Sequence, residues 1–161
     1  MHRWGCALIG GIVLSLAVAA CAGTAPASDA AQPRLGDDVA GRASELCADT
    51  TARLDGVEWP DDERLTLEGS APAIAATARI HRDLLDALAR VSASASERAA
   101  LDGLVAAGTR LVAALDELQA VSTRGDPAAF DAQLTEVSAR AGDAAAVSAG
   151  IGLTACYGAD G

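Results

Sequence analysis

The sequence contains no lysine, and all 12 basic residues are arginines. Aromatic residues make up only 2% of the chain. β-Sheets normally place aromatic and β-branched residues on their inner faces. Alanine and leucine, which are abundant here, instead suit helices because they lose little side-chain freedom there. The scarcity of rings therefore disfavours a β-sandwich or barrel and predicts an all-α fold.

Positive charge is also scarce. The 22 acidic residues outnumber the arginines and give a net charge of −10. A nucleic-acid-binding protein needs clustered cations to displace counterions from phosphates, and the sequence has no such cluster. We therefore exclude nucleic acid as a partner. The acidity is consistent with a protein that stays soluble beside an anionic membrane surface.

The sequence also lacks the usual catalytic motifs. After residue 20 it has one histidine, His81, and no Gly-rich phosphate loop, zinc motif or Gly-x-Ser-x-Gly sequence. A di-iron helical bundle needs Glu-x-x-His pairs from two helices, which a single histidine cannot supply. The sequence His81-Arg82-Asp83-Leu84 matches the start of a kinase catalytic loop, but no lysine is present to hold ATP phosphates. We predict a protein that is not an enzyme and has no metal or cofactor.

An uncharged, mostly apolar run lies near the start of the sequence, at residues 6–20. It follows a short segment that carries Arg3. A membrane-spanning helix needs about 20 apolar residues, so this run of 15 residues is short for a span. Its length and its charged flank are typical of a signal peptide.

Small residues connect this run to a cysteine. The sequence Val18-Ala19-Ala20-Cys21 resembles the lipobox of bacterial lipoproteins. The resemblance implies cleavage after residue 20 and acylation of Cys21, with the protein anchored at the extracytoplasmic face of the cell membrane. The alternative is an ordinary secretory signal with an incidental cysteine. Residues 21–36 would then be the lipidated cysteine and a flexible tether, since they are rich in small residues and proline.

Residues 37–161 form the predicted folded domain. Their apolar residues recur at the three- and four-residue spacing of amphipathic helices. Four such segments with mostly short connections predict an antiparallel four-helix bundle. The first expected helix spans residues 39–54, with Asp37 or Asp38 as its N-cap, and the second spans residues 70–91, with Pro72 in its first turn. The third lies between the capping box Ser94–Glu97 and Gly125. The fourth runs from Asp126-Pro127 to Gly150.

Two cysteines remain for the folded domain, Cys47 and Cys156. An even pair in an exported, oxidising setting predicts a disulfide. Closing a loop of about 100 residues stabilises a fold by up to about 4.7 kcal/mol in the chain-entropy treatment. The pair has no Cys-x-x-Cys spacing to lower a thiol pKa, so we expect a structural bond that closes the bundle.

Two residues are tentative contacts for a ligand or partner. His81 falls on the apolar stripe of the second helix, where a buried, hydrogen-bonded histidine is the alternative. Trp59 lies beside an acidic run formed by Glu58, Asp61, Asp62 and Glu63. This run lacks the spacing of an EF-hand loop, and the default expectation for Trp59 is that it plugs one end of the bundle.

These observations predict a lipid-anchored extracytoplasmic helical protein. Its role would be non-catalytic binding of another envelope protein or of a small ligand. Two alternatives stay open at this point. One is a carrier of heme or of a hydrophobic small ligand within the bundle, and the other is an enzyme of unrecognised type centred on His81.

Overall fold

A computed structural model describes residues 34–60 and 66–157. The predicted signal peptide, Cys21 and most of the tether lie outside the described residues, as do Asp61, Asp62 and Glu63. The described chain forms four helices and no strand, which confirms the all-α prediction. The helices are α1 (Asp37–Asp55), α2 (Leu67–Ala89), α3 (Ala95–Arg124) and α4 (Pro127–Gly150).

Consecutive helices pack antiparallel. Arg42 near the start of α1 donates to the carbonyl of Ser92, which follows α2, at 3.0 Å. Arg53 near the end of α1 pairs with Asp83, which lies earlier in α2. Ser122, close to the end of α3, donates to the carbonyl of Leu67 at the start of α2. These contacts, with the two-residue turn between α3 and α4, confirm the antiparallel bundle.

The signals at the start and end of α3 are confirmed. The Ser94 hydroxyl accepts from the Glu97 backbone N–H, and the Glu97 carboxylate accepts from the Ser94 N–H at 2.8 Å. Gly125 ends α3 with φ +65°, a left-handed conformation that costs glycine little. Asp126 then caps the N–H of Ala129 at 3.1 Å and begins α4.

Two predicted helix starts were wrong. The N-cap of α1 is Gly36, which has no side chain to cap the helix. Asp37 and Asp38 lie in the first helical turn, where the positive end of the macrodipole stabilises their carboxylates. The second helix begins at Leu67, capped by the Thr66 hydroxyl, which accepts from the Gly69 N–H at 2.9 Å. Pro72 therefore lies inside α2 and not in its first turn.

The buried apolar residues form two clusters. The first cluster joins α1, the second half of α2, the first half of α3 and the segment after α4. The second cluster joins the first half of α2 to the second half of α3, with α4 packed against it. The first contains Val39, Ala43, Cys47, Leu84, Leu88, Ala100, Leu101, Leu104, Ile151, Leu153 and Cys156, and the second contains Ile74, Ala78, Leu111, Leu115 and Leu118.

The segment after α4, residues 151–157, folds back into the bundle. Ser148 donates to the carbonyl of Leu153, and Leu153 is 1% exposed. The disulfide between Cys47 and Cys156 joins this segment to α1, with Cα atoms 4.6 Å apart, inside the range usual for disulfides. The predicted disulfide is confirmed, and it attaches the end of the described chain to the first helix.

The buried face of α4 is narrow. Ala144 and Ser148 are its buried residues, while Phe130 and Val137 are partly buried against the second cluster. Leu134, on the same helix, is 41% exposed. The reason is that α4 packs mainly against one neighbour, α3, and a helix with a single neighbour buries a narrower stripe.

Residues 31–161 cluster as one compact unit. The described members of both buried clusters lie within it, so this segment, here called the helical domain, contains a core of its own. Among the described residues, no helix is both long enough and apolar enough to cross a membrane.

Candidate functional site

A cavity of about 400 Å³ opens where α1 ends, within the size range of small-molecule sites. Side chains from α1, α2, α3, α4 and the 151–157 segment line it, and most of them are apolar. The lining residues are Thr51, Leu54, Asp55, Thr77, His81, Leu111, Leu115, Val137, Ala141, Ala155, Cys156 and Tyr157.

The cavity follows from unequal helix lengths. α1 has 19 residues, whereas α2 and α4 have 23 and 24. α1 starts beside the end of α2 and reaches Asp83 with Arg53, so it covers only the second half of α2. Beyond Asp55, α1 does not extend alongside α2 and α4.

One ring spans the gap between the clusters. Tyr157 packs against both the first and the second cluster. Its ring stacks on the imidazole of His81, with centroids 5.7 Å apart and planes inclined by 12°. Its hydroxyl approaches Gly108 of α3, where a Cβ would lie 2.9 Å away. The disulfide at Cys156 therefore fixes the ring that forms one wall of the cavity.

His81 and Tyr157 each carry a buried polar atom without a partner. Neither Nδ1 of His81 nor the Tyr157 hydroxyl makes a hydrogen bond in the described structure. Burial lowers the pKa of His81, because it disfavours the imidazolium form. Burial also raises the pKa of Tyr157 to about 12. Both rings are therefore neutral at neutral pH.

The polar groups at the rim of the cavity accept hydrogen bonds. The Thr51 hydroxyl donates to the carbonyl of Cys47 at 3.1 Å, and that of Thr77 donates to Ala73 at 3.0 Å. Each hydroxyl has one hydrogen, so only its lone pairs remain for a ligand. Asp55 adds a carboxylate at the last residue of α1, where the helix macrodipole is negative.

The two residues predicted as contacts lie in different surroundings. His81 is 8% exposed and lines the cavity. Trp59 is 54% exposed and is not among the lining residues. The expectation that Trp59 plugs the end of the bundle was wrong, since the described chain leaves α1 at Gly56 and does not bury the indole.

Sequence reasoning missed Tyr157 and Asp55 as wall residues. Tyr157 lies in a segment with no helical periodicity, so a pattern search assigns it to a tail. The available signal was its position next to Cys156, because a disulfide to α1 necessarily brings the following residue into the bundle. Asp55 gave no signal, since its role depends on where α1 ends.

A second hollow, of about 680 Å³, lies between the starts of α1 and α3. Glu97, one of its polar groups, is bonded to neighbouring backbone groups. The Glu97 carboxylate accepts from the N–H groups of Gly36 and Ser94 at 2.9 and 2.8 Å. The hydrogen bonds from Ser94 are the main reason that the pKa of Glu97 is lowered. Although this hollow is larger, its Glu97 carboxylate and its Arg42 guanidinium are already engaged in hydrogen bonds within the protein.

No group of three or more His, Cys, Asp or Glu side chains within the described ranges could hold a metal ion. No protein-family model, curated protein or solved structure matches the chain. The fold defines its class as an all-α, disulfide-closed four-helix protein.

Proposed function

We propose that this protein is a lipid-anchored extracytoplasmic binding protein that holds a small hydrophobic ligand in the cavity beside His81. The observation that carries the proposal is the cavity itself, with Leu111, Leu115 and Val137 among its walls. An open apolar hollow in a small domain loses packing contacts that a filled core would keep. A ligand restores those contacts.

A non-catalytic role fits the surroundings of His81 better than an enzymatic one. A catalytic histidine is commonly oriented by an acid bonded to its second ring nitrogen. Nδ1 of His81 has no partner in the described structure, and burial lowers the pKa of the imidazole. His81 therefore lacks the hydrogen-bonded acid that would orient its imidazole as a general base.

The two ligands considered for a carrier are heme and a hydrophobic small molecule, and the geometry of the cavity favours the small molecule. A heme needs a histidine with a ring nitrogen directed freely at the iron. His81 is 8% exposed and has Tyr157 stacked on its ring, which restricts its approach to a planar macrocycle. A compact hydrophobic molecule needs only the apolar walls.

Lipid anchorage remains the proposal for the first part of the chain. The lipobox-like sequence Val18-Ala19-Ala20-Cys21 supports it, and more than one acyl chain makes membrane binding firm. Globomycin, which blocks lipoprotein signal peptidase, tests it directly. We expect the drug to leave the precursor uncleaved in cells. Cleavage that continues in its presence refutes the lipoprotein assignment.

Ligand binding is tested with Nile red, a neutral dye whose fluorescence rises in apolar sites. We expect it to bind the helical domain, and Ala141→Phe, which fills the cavity, to abolish the signal. Ala139→Phe is the matched control, because Ala139 lies on the same helix but is exposed and not part of the wall. Equal dye binding by both variants contradicts the proposal.

A further inference from the structure

The charge distribution around the cavity restricts which hydrophobic ligand can occupy it. Asp55 is the one charged side chain among the described lining residues. Arg53, two residues away, pairs with Asp83 on α2 at 2.5 Å. The rim therefore carries a carboxylate and no arginine within the described part of the chain.

The remaining polar groups at the rim favour the same kind of ligand. Thr51 and Thr77 use their hydroxyl hydrogens on backbone carbonyls, so they can only accept. The carbonyl end of α1 adds negative partial charge beside Asp55.

We propose that the cavity selects an amphiphilic cation, a molecule with an alkyl or aromatic body and a protonated amine. The body would contact Leu111, Leu115 and Val137, and the ammonium would lie at the rim against Asp55. The proposal rests on the function proposed above and names its ligand class. A fatty acid or another apolar anion would meet the Asp55 carboxylate without a compensating cation.

The neutral state of His81 is compatible with this ligand. An imidazolium in the wall would repel an ammonium group, but burial lowers the pKa of His81 and keeps the ring neutral at neutral pH. The ring of Tyr157 adds an aromatic surface, which attracts cations through its quadrupole.

A matched series of probes tests the inference. Isothermal titration calorimetry at pH 7.5 would compare n-octylammonium, 1-octanol and octanoate, which share one alkyl chain and differ in charge. The helical domain is used because it contains its own core. We expect octylammonium to bind about tenfold more tightly than octanoate, a difference of about 1.4 kcal/mol. Octanol should lie between them, since the exposed Asp55 carboxylate attracts the ammonium group and repels the carboxylate.

Asp55→Asn should bring the three affinities together while leaving octanol binding unchanged. Asp49→Asn is the control, because it removes the same charge from an exposed position on α1 that does not line the cavity, and it should keep the preference. Equal affinities for the wild-type domain, or a preference that survives Asp55→Asn, overturn the cation assignment alone. Failure of all three probes to bind overturns the proposed function as well.

Discussion

The imidazole of His81 and the ring of Tyr157 lie stacked 5.7 Å apart at the junction of the two buried clusters. One ring comes from the middle of α2 and the other from the last described residue of the chain. Their contact depends on the disulfide at Cys156, which holds the 151–157 segment against α1. The stack, the disulfide and the cavity are therefore parts of one arrangement.

The Tyr157 hydroxyl is expected to weaken the fold while its ring strengthens it. The hydroxyl is buried without a partner, and leaving such a group unsatisfied costs about 1–3 kcal/mol. Tyr157→Phe should therefore raise the free energy of unfolding by about 1 kcal/mol. Tyr157→Ala should lower it. Urea denaturation measures both, and a less stable Phe variant would show that the hydroxyl has a partner.

The buried histidine predicts a dependence of stability on pH. Because burial lowers the pKa of His81 below its usual 6.5, the unfolded chain binds a proton more readily than the folded one. The contribution of His81 to the free energy of unfolding is therefore fully present above pH 6.5 and is lost as the pH falls below that value. Tyr157 stays protonated throughout, since its pKa is about 12.

His81→Gln isolates this contribution. Urea denaturation at pH 7.5 and 5.5 gives the change in the free energy of unfolding for the wild type and for the variant. Because both proteins carry the same carboxylates, the difference between the two changes is due to His81. We expect the wild type to lose more stability than the variant across this interval. Equal losses would contradict the buried, neutral state of His81.

Two glycines of α3 form a matched pair. Gly103 is exposed and has open space where a Cβ would lie, so Gly103→Ala should stabilise α3 by about 1 kcal/mol. At Gly108 a Cβ would lie 2.5 Å from Leu85 and 2.9 Å from the Tyr157 hydroxyl, and overpacking costs about 1–3 kcal/mol. Gly108→Ala should therefore melt below Gly103→Ala in thermal unfolding. Equal melting temperatures would contradict the close approach of Leu85 and Tyr157 to Gly108.

The disulfide should contribute most of its stabilisation through the unfolded chain. The cysteines are 109 residues apart, and a loop of about 100 residues corresponds to about 4.7 kcal/mol. The Cys47→Ala/Cys156→Ala double variant should lose stability up to that amount. Thiol titration of the unfolded helical domain should find no free thiol before reduction and two after it. Two free thiols before reduction would refute the bond.

The sequence was sufficient for the architecture because helix signals are local. The Ser94–Glu97 capping box, Gly125 and Asp126-Pro127 each act within a few residues, and all three ended or began helices as predicted. Pro72 predicts a helix start too late in the sequence, because Thr66 provides the cap of α2 and Pro72 lies inside the helix. The first turn of a helix tolerates proline, but a proline does not by itself mark where a helix begins.

The cavity could not be predicted in the same way. It depends on where α1 ends relative to α2 and on the return of Tyr157 into the bundle, and both are relationships between distant segments. Sequence periodicity placed His81 on the inner face of α2 but could not show that the space beside it was open. It also could not show that Trp59 would be exposed, since the indole has no helical register.

Methyl NMR of the helical domain with 1-octanol tests the ligand site most directly. The account predicts that octanol shifts the methyl signals of Leu111, Leu115 and Val137, which line the cavity. The signal of Leu134, which is 41% exposed on α4 and outside the cavity, should stay unchanged. Shifts at Leu134 without shifts at the three wall residues, or no saturable shift at all, would contradict a binding site beside His81.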